Sequence, residues 1–197
     1  MRLEDIGSFE RGKRFVHADA VDKGIPCIHY GELYTFYGPT ATNHKSAIRE
    51  DIEKEKKLRY ASKNDVVIVG AGENDEDIGI GVAWLGDYKI AVHDACYIFR
   101  HQENASYISY FLRTSMYHQQ IKKYVSTGKI CAISSMGIGS AYIYLPPLEK
   151  QREIVEKLDK FESLVNDLTS GLPAEIEARQ KQYEYYRDKL LTFKKLS

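Results

Sequence analysis

The sequence lacks the features of a membrane protein and of a disulfide-stabilised protein. Its three cysteines, Cys27, Cys96 and Cys131, are odd in number, far apart and without a CxxC pair, which is typical of reduced, buried thiols. No apolar run approaches the ~20 residues of a membrane-spanning helix, and the first residues contain no signal-peptide core. These absences predict a cytoplasmic protein that has no membrane partner.

The sequence also has no excess charge of either sign. It contains 28 basic and 28 acidic residues among 197, so its formal net charge is zero. Overall charge therefore supplies no attraction to phosphates, and a protein of this composition that binds nucleic acid needs a local group of cations.

Motifs for catalysis, nucleotide binding and metal binding are missing as well. The glycine-rich segment 70–81 has no Gly-Lys-Ser/Thr ending, and Asp75 occupies the third glycine position of a dinucleotide-binding motif. The six histidines form no HExxH pattern. We therefore predict no catalytic residue, no metal and no cofactor. One enzymatic alternative stays open, because Cys27 and His29 lie two residues apart on a predicted strand, where a Cys–His nucleophile pair would share a face.

The most regular stretch of the sequence is 148–197. Apolar residues recur there at alternating spacings of four and three, which is typical of the narrow seam of a coiled coil. Pro146 and Pro147 fit immediately before a helix, so we expect the helix to begin near Leu148 or Glu149. The seam residues that we expect to contact a partner helix are Leu158, Phe161, Val165, Ile176, Tyr183 and Leu190.

A break is expected within this helical region, where Gly171 can end one helix and Pro173 can begin the next. Two arrangements stay open. The two helices either continue roughly in line, as a rod of roughly 65–70 Å at ~1.5 Å per residue, or fold back over the first domain as an αα-hairpin.

Residues 1–147 are expected to form one domain of mixed α and antiparallel β structure, so that the chain as a whole is of the α+β class. The β-branched run 66–69 indicates a buried strand, and Pro26 suggests that its own strand lies at a sheet edge. Further antiparallel strands are expected at 78–86, 88–93 and 95–101, and helices at 48–61 and 105–125.

Two polar loops of this domain, 11–15 and 37–45, supply the candidate binding residues. Arginine and lysine suit phosphates and guanine edges, asparagine pairs with adenine edges, and threonine reaches either. Solvent-exposed loops are commonly polar, so the composition of these loops does not by itself establish binding. The candidates for DNA contact are Arg11, Lys13, Arg14, Tyr37, Thr42, Asn43, His44 and Lys45, with Lys129 and Ser135 as further candidates.

Several segments, taken in order, resemble the DNA-specificity (S) subunits of type I restriction–modification systems. These segments are GIPCIHYGEL (24–33), DVVIV (65–69) and LPPLEKQREIVEKLD (145–159), followed by EARQKQYEYYRDKLLTF (177–193). The resemblance implies that residues 1–147 are a target-recognition domain that reads one half of a bipartite double-stranded DNA site. It also implies that 148–197 is a helical spacer, that a methyltransferase (M) subunit carries the chemistry, and that a restriction (R) subunit joins through the complex.

The chain departs from the usual family pattern in one respect. Family members usually carry two recognition domains and two helical regions, whereas this sequence contains one of each. We expect a half-subunit that forms a homodimer or pairs with a second half-subunit, or a part of a longer chain. A homodimer would require a palindromic target with an unread gap. The rival hypothesis is a structural or regulatory coiled-coil protein whose head binds another protein and has no DNA specificity.

Overall fold

The computed structural model describes residues 1–163 of the chain. Within it, Met1–Arg152 forms a compact unit. The predicted break at Gly171 and Pro173 lies outside the described residues, as do four seam residues, Val165, Ile176, Tyr183 and Leu190.

The elements of the compact unit are short. The helices are α1 (Leu3–Ile6), α2 (Glu32–Thr35), α3 (Asp51–Lys56), α4 (Ala105–Phe111), α5 (Ser115–Ile121) and α6 (Ser135–Gly139). The strands are β1 (Gly7–Arg11), β2 (Ala20–Val21), β3 (Ile25–Ile28), β4 (Thr40–Ala41), β5 (Ser46–Ile48), β6 (Tyr60–Ala61), β7 (Asp65–Val69), β8 (Ala71–Gly72), β9 (Gly81–Trp84), β10 (Ile90–Val92), β11 (Cys96–His101) and β12 (Cys131–Ala132).

Two five-stranded sheets organise the unit. The first has the order β1-β11-β7-β9-β4 and the second has the order β2-β5-β3-β10-β6, while β12 pairs with β8. The central strand β7 is buried at all five residues, because its β-branched run is apolar on both faces of the sheet. The predicted mixed α and β domain is confirmed.

The expected run of consecutive antiparallel strands is wrong in detail. Strands β9 and β11 both flank β7 as antiparallel neighbours, but β10 lies in the second sheet and pairs in parallel with β3. All three residues of β10 are buried. An apolar strand of this kind needs a neighbour on each side, and β3 and β6 supply these neighbours.

The two predicted helices are shorter than expected. Helix α3 ends at Lys56, because Lys57 adopts a left-handed conformation with φ of 48° and the chain then enters β6. The segment 105–125 divides into α4 and α5 at Thr114, whose side chain accepts a hydrogen bond from the backbone N–H of Tyr117. A threonine hydroxyl in this position caps a new helix and so competes with continuation of the old one.

The expectation that Pro26 marks a sheet edge is also wrong. Strand β3 has two partners, β5 and β10. The ladder with β10 begins at Cys27, one residue after Pro26, so the N–H that proline lacks falls outside that ladder.

A helix, α7, begins at 148, as Pro146 and Pro147 predict, and continues to 163, the last described residue. Its first turn is fixed by the fully buried side chain of Gln151. Gln151 Nε2 donates to the carbonyl oxygen of Pro146 at 2.8 Å and to Glu103 Oε2 at 2.6 Å, and its Oε1 accepts from the Asn104 N–H at 3.1 Å. No helix within residues 1–163 has the length and apolarity needed to cross a membrane.

Candidate nucleic-acid interface

The basic loop (residues 11–15) is held against the turn that joins β10 to β11. The backbone N–H of Lys13 donates to the carbonyl oxygen of Val92 at 2.9 Å, and Arg11 Nε donates to the carbonyl oxygen of Asp94 at 2.7 Å. A Cβ atom at Gly12 would lie 2.3 Å from the carbonyl oxygens of both Val92 and His93. A residue without a side chain is therefore required for this close approach.

The far end of the basic loop is anchored by Phe15. Its buried ring packs edge-on against the ring of His93 at a centroid distance of 5.0 Å, and the His93 Nε2 lies 3.0 Å from the Phe15 carbonyl oxygen. Burial lowers the pKa of His93 to about 4, and the neighbouring charge of His29 acts in the same direction. The imidazole of His93 is therefore neutral at neutral pH.

The cationic residues of the basic loop differ in exposure. Arg11 and Arg14 are exposed and Lys13 is half-buried. Within residues 1–163 no carboxylate forms an ion pair with any of the three, whereas Glu10, just before the loop, already pairs with Arg59 at 3.0 Å. The loop thus presents uncompensated positive charge on a fixed backbone, which suits contact with phosphates.

The polar loop (residues 37–45) is held at its base by the junction between α4 and α5. The Arg113 guanidinium donates to the carbonyl oxygens of Gly38 at 2.8 Å and Leu33 at 3.2 Å. Ser109 Oγ donates to the carbonyl oxygen of Pro39 at 2.6 Å. These contacts come from about 70 positions further along the chain, which is why the sequence pattern gave no signal for them.

Tyr37 shapes the polar loop from inside. It is 8% exposed, and its hydroxyl accepts the backbone N–H of Lys45 at 2.8 Å. Burial raises the pKa of Tyr37 above its ordinary value. The sequence-based expectation that the Tyr37 ring contacts DNA therefore does not fit its position, since the side chain lies beneath the loop surface.

The tip of the polar loop is exposed from Thr42 to Lys45. Tyr88, which precedes β10, holds it: its hydroxyl oxygen accepts the backbone N–H of His44 at 3.0 Å and lies 2.7 Å from His44 Nδ1. Lys45 Nζ lies 4.7 Å from the centre of the Phe36 ring, a cation–π contact that orients the ammonium group. The loop pattern did not identify Tyr88 or Phe36 as contacts of this tip.

One cleft of ≈ 420 Å³ is lined by Phe15 at the end of the basic loop, by Lys45 of the polar loop and by the acidic residues Glu32 and Glu73. The anchors of the two loops, Tyr88 and His93, are five residues apart across β10, a separation of at most ~18 Å. The Glu32 carboxylate in the cleft wall accepts the His29 N–H at 3.0 Å and the Ser46 hydroxyl, so its charge is partly offset. The cationic residues of the basic loop and the tip residues Thr42–His44 do not line this cleft, so the structure places the two loops at the two ends of β10.

The two further candidates lie elsewhere. Lys129 is exposed in the turn closed by hydrogen bonds between Ser126 and Ala132, and Ser135 begins α6. In the part of the chain that the structure describes, no hydrogen bond joins Lys129 or Ser135 to either loop.

The thiol chemistry of Cys27 argues against the enzymatic alternative. Cys27 is 2% exposed, and burial raises the pKa of its thiol to about 12, with the Glu32 charge adding to the effect. A cysteine nucleophile needs a lowered pKa. All three cysteines are free and buried, as the sequence predicts.

Comparison with known families identifies this fold. The family model for the type I restriction modification DNA specificity domain matches residues 1–178. The chain belongs to this specificity family. The resemblance noted in the sequence is thereby confirmed.

Curated members of the specificity family align over different lengths. The chain is 34% identical over 198 residues to a protein assigned as a type I restriction enzyme specificity subunit of Haemophilus influenzae, an alignment that covers 98% of this chain and 48% of that protein. It is 53% identical over 68 residues to a type I restriction enzyme specificity subunit of Escherichia coli, covering 34% of this chain and 17% of the other. The chain thus spans about half, or less, of these relatives.

Solved structures show the same fold. A chain from a type I R-M system superimposes on this one with a TM-score of 0.64 at 20% identity. The superposition covers 93% of this chain and 43% of the other. The HsdS subunit from Thermoanaerobacter tengcongensis gives a TM-score of 0.57 at 18% identity, covering 87% of this chain and 38% of that one.

Proposed function

We propose that this chain is a sequence-specific DNA-binding specificity subunit, or half-subunit, of a type I restriction–modification complex. Residues 1–147 read one half of a bipartite site in double-stranded DNA, and 148–197 form the coiled-coil spacer and dimerisation region. The chain itself carries no catalytic residue and binds no cofactor. It works in the cytoplasm, where it docks a methyltransferase subunit and, through the complex, a restriction subunit.

The observation that carries this proposal is the match of the specificity-domain family model to residues 1–178, and the exposed polar side chains of the two loops support it. The basic loop supplies Lys13 and Arg14 for phosphates, which position the protein without reading sequence. The polar loop supplies exposed Thr42, Asn43 and His44, whose hydrogen-bonding groups match base edges in the major groove. The backbone of each loop is hydrogen-bonded to residues outside it, which limits the conformations its side chains lose on contact.

The described part of the seam supports a helical partner. Leu158 and Phe161 lie on α7, and Phe161 is 66% exposed. An exposed phenylalanine at a seam position is explained by contact with a second helix. We propose a homodimer or a pair with a second half-subunit; a solution mass equal to one chain of 22.6 kDa at micromolar concentration would contradict the homodimer.

Enrichment of randomised duplex DNA by the full chain, alone and with a methyltransferase subunit, tests the function. A palindrome interrupted by a fixed gap would support the homodimer, because a twofold axis relates the two readers. A single short half-site would indicate a part of a longer chain. The absence of enrichment in both arms would contradict the proposal and favour a coiled-coil protein with a protein-binding head.

A further inference from the structure

Tyr88 and His44 share two contacts at the tip of the polar loop. The Tyr88 hydroxyl oxygen accepts the backbone N–H of His44 at 3.0 Å, and the same oxygen lies 2.7 Å from His44 Nδ1. The two rings meet edge to face at a centroid distance of 5.6 Å. The imidazole of His44 is exposed, so its other nitrogen, Nε2, is available to a ligand.

The 2.7 Å contact allows two roles for Nδ1, which either accepts from the Tyr88 hydroxyl or donates to its oxygen. A tyrosine hydroxyl has one hydrogen to donate, and a neutral imidazole has one N–H donor and one acceptor. The backbone N–H of His44 already occupies one acceptor position of the Tyr88 oxygen, which favours the arrangement in which the Tyr88 hydroxyl donates to Nδ1. The His44 hydrogen then lies on Nε2, and the exposed edge of the ring is a hydrogen-bond donor.

Tyr88 is itself held rigidly. Its carbonyl oxygen accepts the indole N–H of the fully buried Trp84 at 2.7 Å, and the two rings pack edge to face at 5.3 Å. The backbone N–H of Leu85 donates to the carbonyl oxygen of Ala41 at 2.8 Å, just before the loop tip. The backbone and ring of Tyr88 therefore rest on a core residue, while the residue itself remains 37% exposed.

We propose that Tyr88 is a positioning residue that holds His44 in its Nε2–H form, so that the polar loop reads a hydrogen-bond acceptor on a base. In the major groove such acceptors are N7 of a purine, O6 of guanine and O4 of thymine, whereas cytosine presents the donor N4 amino group. One position of the half-site then excludes cytosine. This inference rests on the proposed function and adds the class of base edge that His44 recognises.

The ring form is measured directly by ¹⁵N chemical shifts of histidine-labelled full-length protein, with the His44 signals assigned by their loss in His44→Ala. We expect a protonated Nε2 and an unprotonated Nδ1 in the wild type. In Tyr88→Phe, which removes the hydroxyl alone, we expect a mixture of the two forms. Tyr144→Phe is the matched control, because it deletes another tyrosine hydroxyl on an exposed residue outside both loops.

Binding is then measured on the enriched duplex with each of the four bases at each position. At one position, we expect wild-type discrimination against cytosine of about 5- to 100-fold, the range of one good base contact. Tyr88→Phe and His44→Ala should both lose it, and the double variant should lose no more than His44→Ala alone. The salt dependence of DNA binding should be the same in the wild type and in these variants. If the contacted atom is N7 of a purine, its 7-deaza analogue there should weaken wild-type binding but not binding of His44→Ala; unchanged wild-type binding would assign the contact to O6 or O4.

The outcomes separate this inference from the proposed function. If the wild type shows no sequence preference, both are contradicted. If it shows preference that Tyr88→Phe leaves intact, or if Nδ1 carries the hydrogen, this inference alone is wrong. If His44→Ala weakens all sequences equally, His44 contacts a phosphate and the base assignment is overturned.

Discussion

Arg113 holds the start of the polar loop by donating to the carbonyl oxygen of Gly38 at 2.8 Å, across 75 positions of sequence. The same side chain donates from Nε to the carbonyl oxygen of Gly81 in β9 at 3.1 Å. A planar guanidinium with several N–H donors suits this bridging of separate carbonyl groups. Arg113 thus adds a side-chain bridge to the attachment that β4, within this loop, already makes by pairing with β9.

Arg113→Ala should destabilise the domain by about 2–4 kcal/mol, since several half-buried carbonyl oxygens would lose their donor. Urea unfolding followed by circular dichroism measures this difference. Arg14→Ala is the matched control: Arg14 is exposed, and its removal should change the unfolding free energy by less than about 0.5 kcal/mol. An equal effect of the two substitutions would show that Arg113 does not hold the loop.

Gly12→Ala should destabilise the domain by about 1–3 kcal/mol, because the added methyl group overlaps two carbonyl oxygens and forces the basic loop away from β10. Gly128→Ala is the control, since its Cβ would meet nothing nearer than 3.9 Å. Thermal unfolding of both variants measures the difference. The prediction fails if Gly12→Ala melts with the wild type.

Folding stability should depend on pH through His93. Its pKa is about 4 in the folded domain and about 6.5 in an unfolded chain. The unfolded state therefore binds more protons as the pH falls from about 6.5 to 4, and the unfolding free energy should fall by about 1–3 kcal/mol over that range. Above that range His93 should have no effect.

Urea unfolding at several pH values between 7 and 4 measures the slope of the unfolding free energy against pH. His93→Gln, which keeps a group able to donate to the Phe15 carbonyl, should reduce the slope but not remove it, because burial also lowers the pKa of His101 and His118. The pKa of Asp19 is lowered chiefly by the hydrogen bond from the Val16 N–H. Its contribution to the unfolding free energy is therefore lost at lower pH, as the pH falls through its folded-state pKa. An unchanged slope in His93→Gln would contradict the assignment.

The two loops should respond differently to substitution in DNA binding. Lys13→Ala should weaken binding to every sequence and reduce the slope of log K against log salt by about 1. Asn43→Ala should instead relax sequence choice at one position, by about 1–3 kcal/mol, and leave the salt slope unchanged. Titrations at three salt concentrations, with the enriched and a scrambled duplex, distinguish the two effects. Equal behaviour of both variants would refute the division of roles.

The parts of the fold that were predictable are those with strong local signals. The β-branched run of β7 identified a buried strand, and two prolines located the start of α7. Strands β2, β5 and β6, of two or three residues each, carry too few side chains for a period-2 pattern. They exist because the second sheet brings them together, which no local signal encodes.

The candidate site was also predictable only in part. The exposed polar residues of the basic and polar loops were recognisable from composition. Their anchors were not, because Tyr88, His93 and Arg113 come from distant parts of the chain and look like ordinary strand-end or helix residues in sequence. The prediction that Tyr37 contacts DNA does not fit the structure for a related reason. Its sequence neighbours are those of a loop tyrosine, but folding buries its side chain beneath the loop.

The central claim is that this chain distinguishes DNA sequences. Its most direct test is the ratio of dissociation constants for a scrambled duplex and the enriched duplex, measured at one physiological salt concentration with the full chain and a methyltransferase subunit. Sequence-specific readers bind their sites about 10³-fold or more tightly than other DNA, and we predict a ratio of at least that order. A ratio near one at every salt concentration would contradict the account.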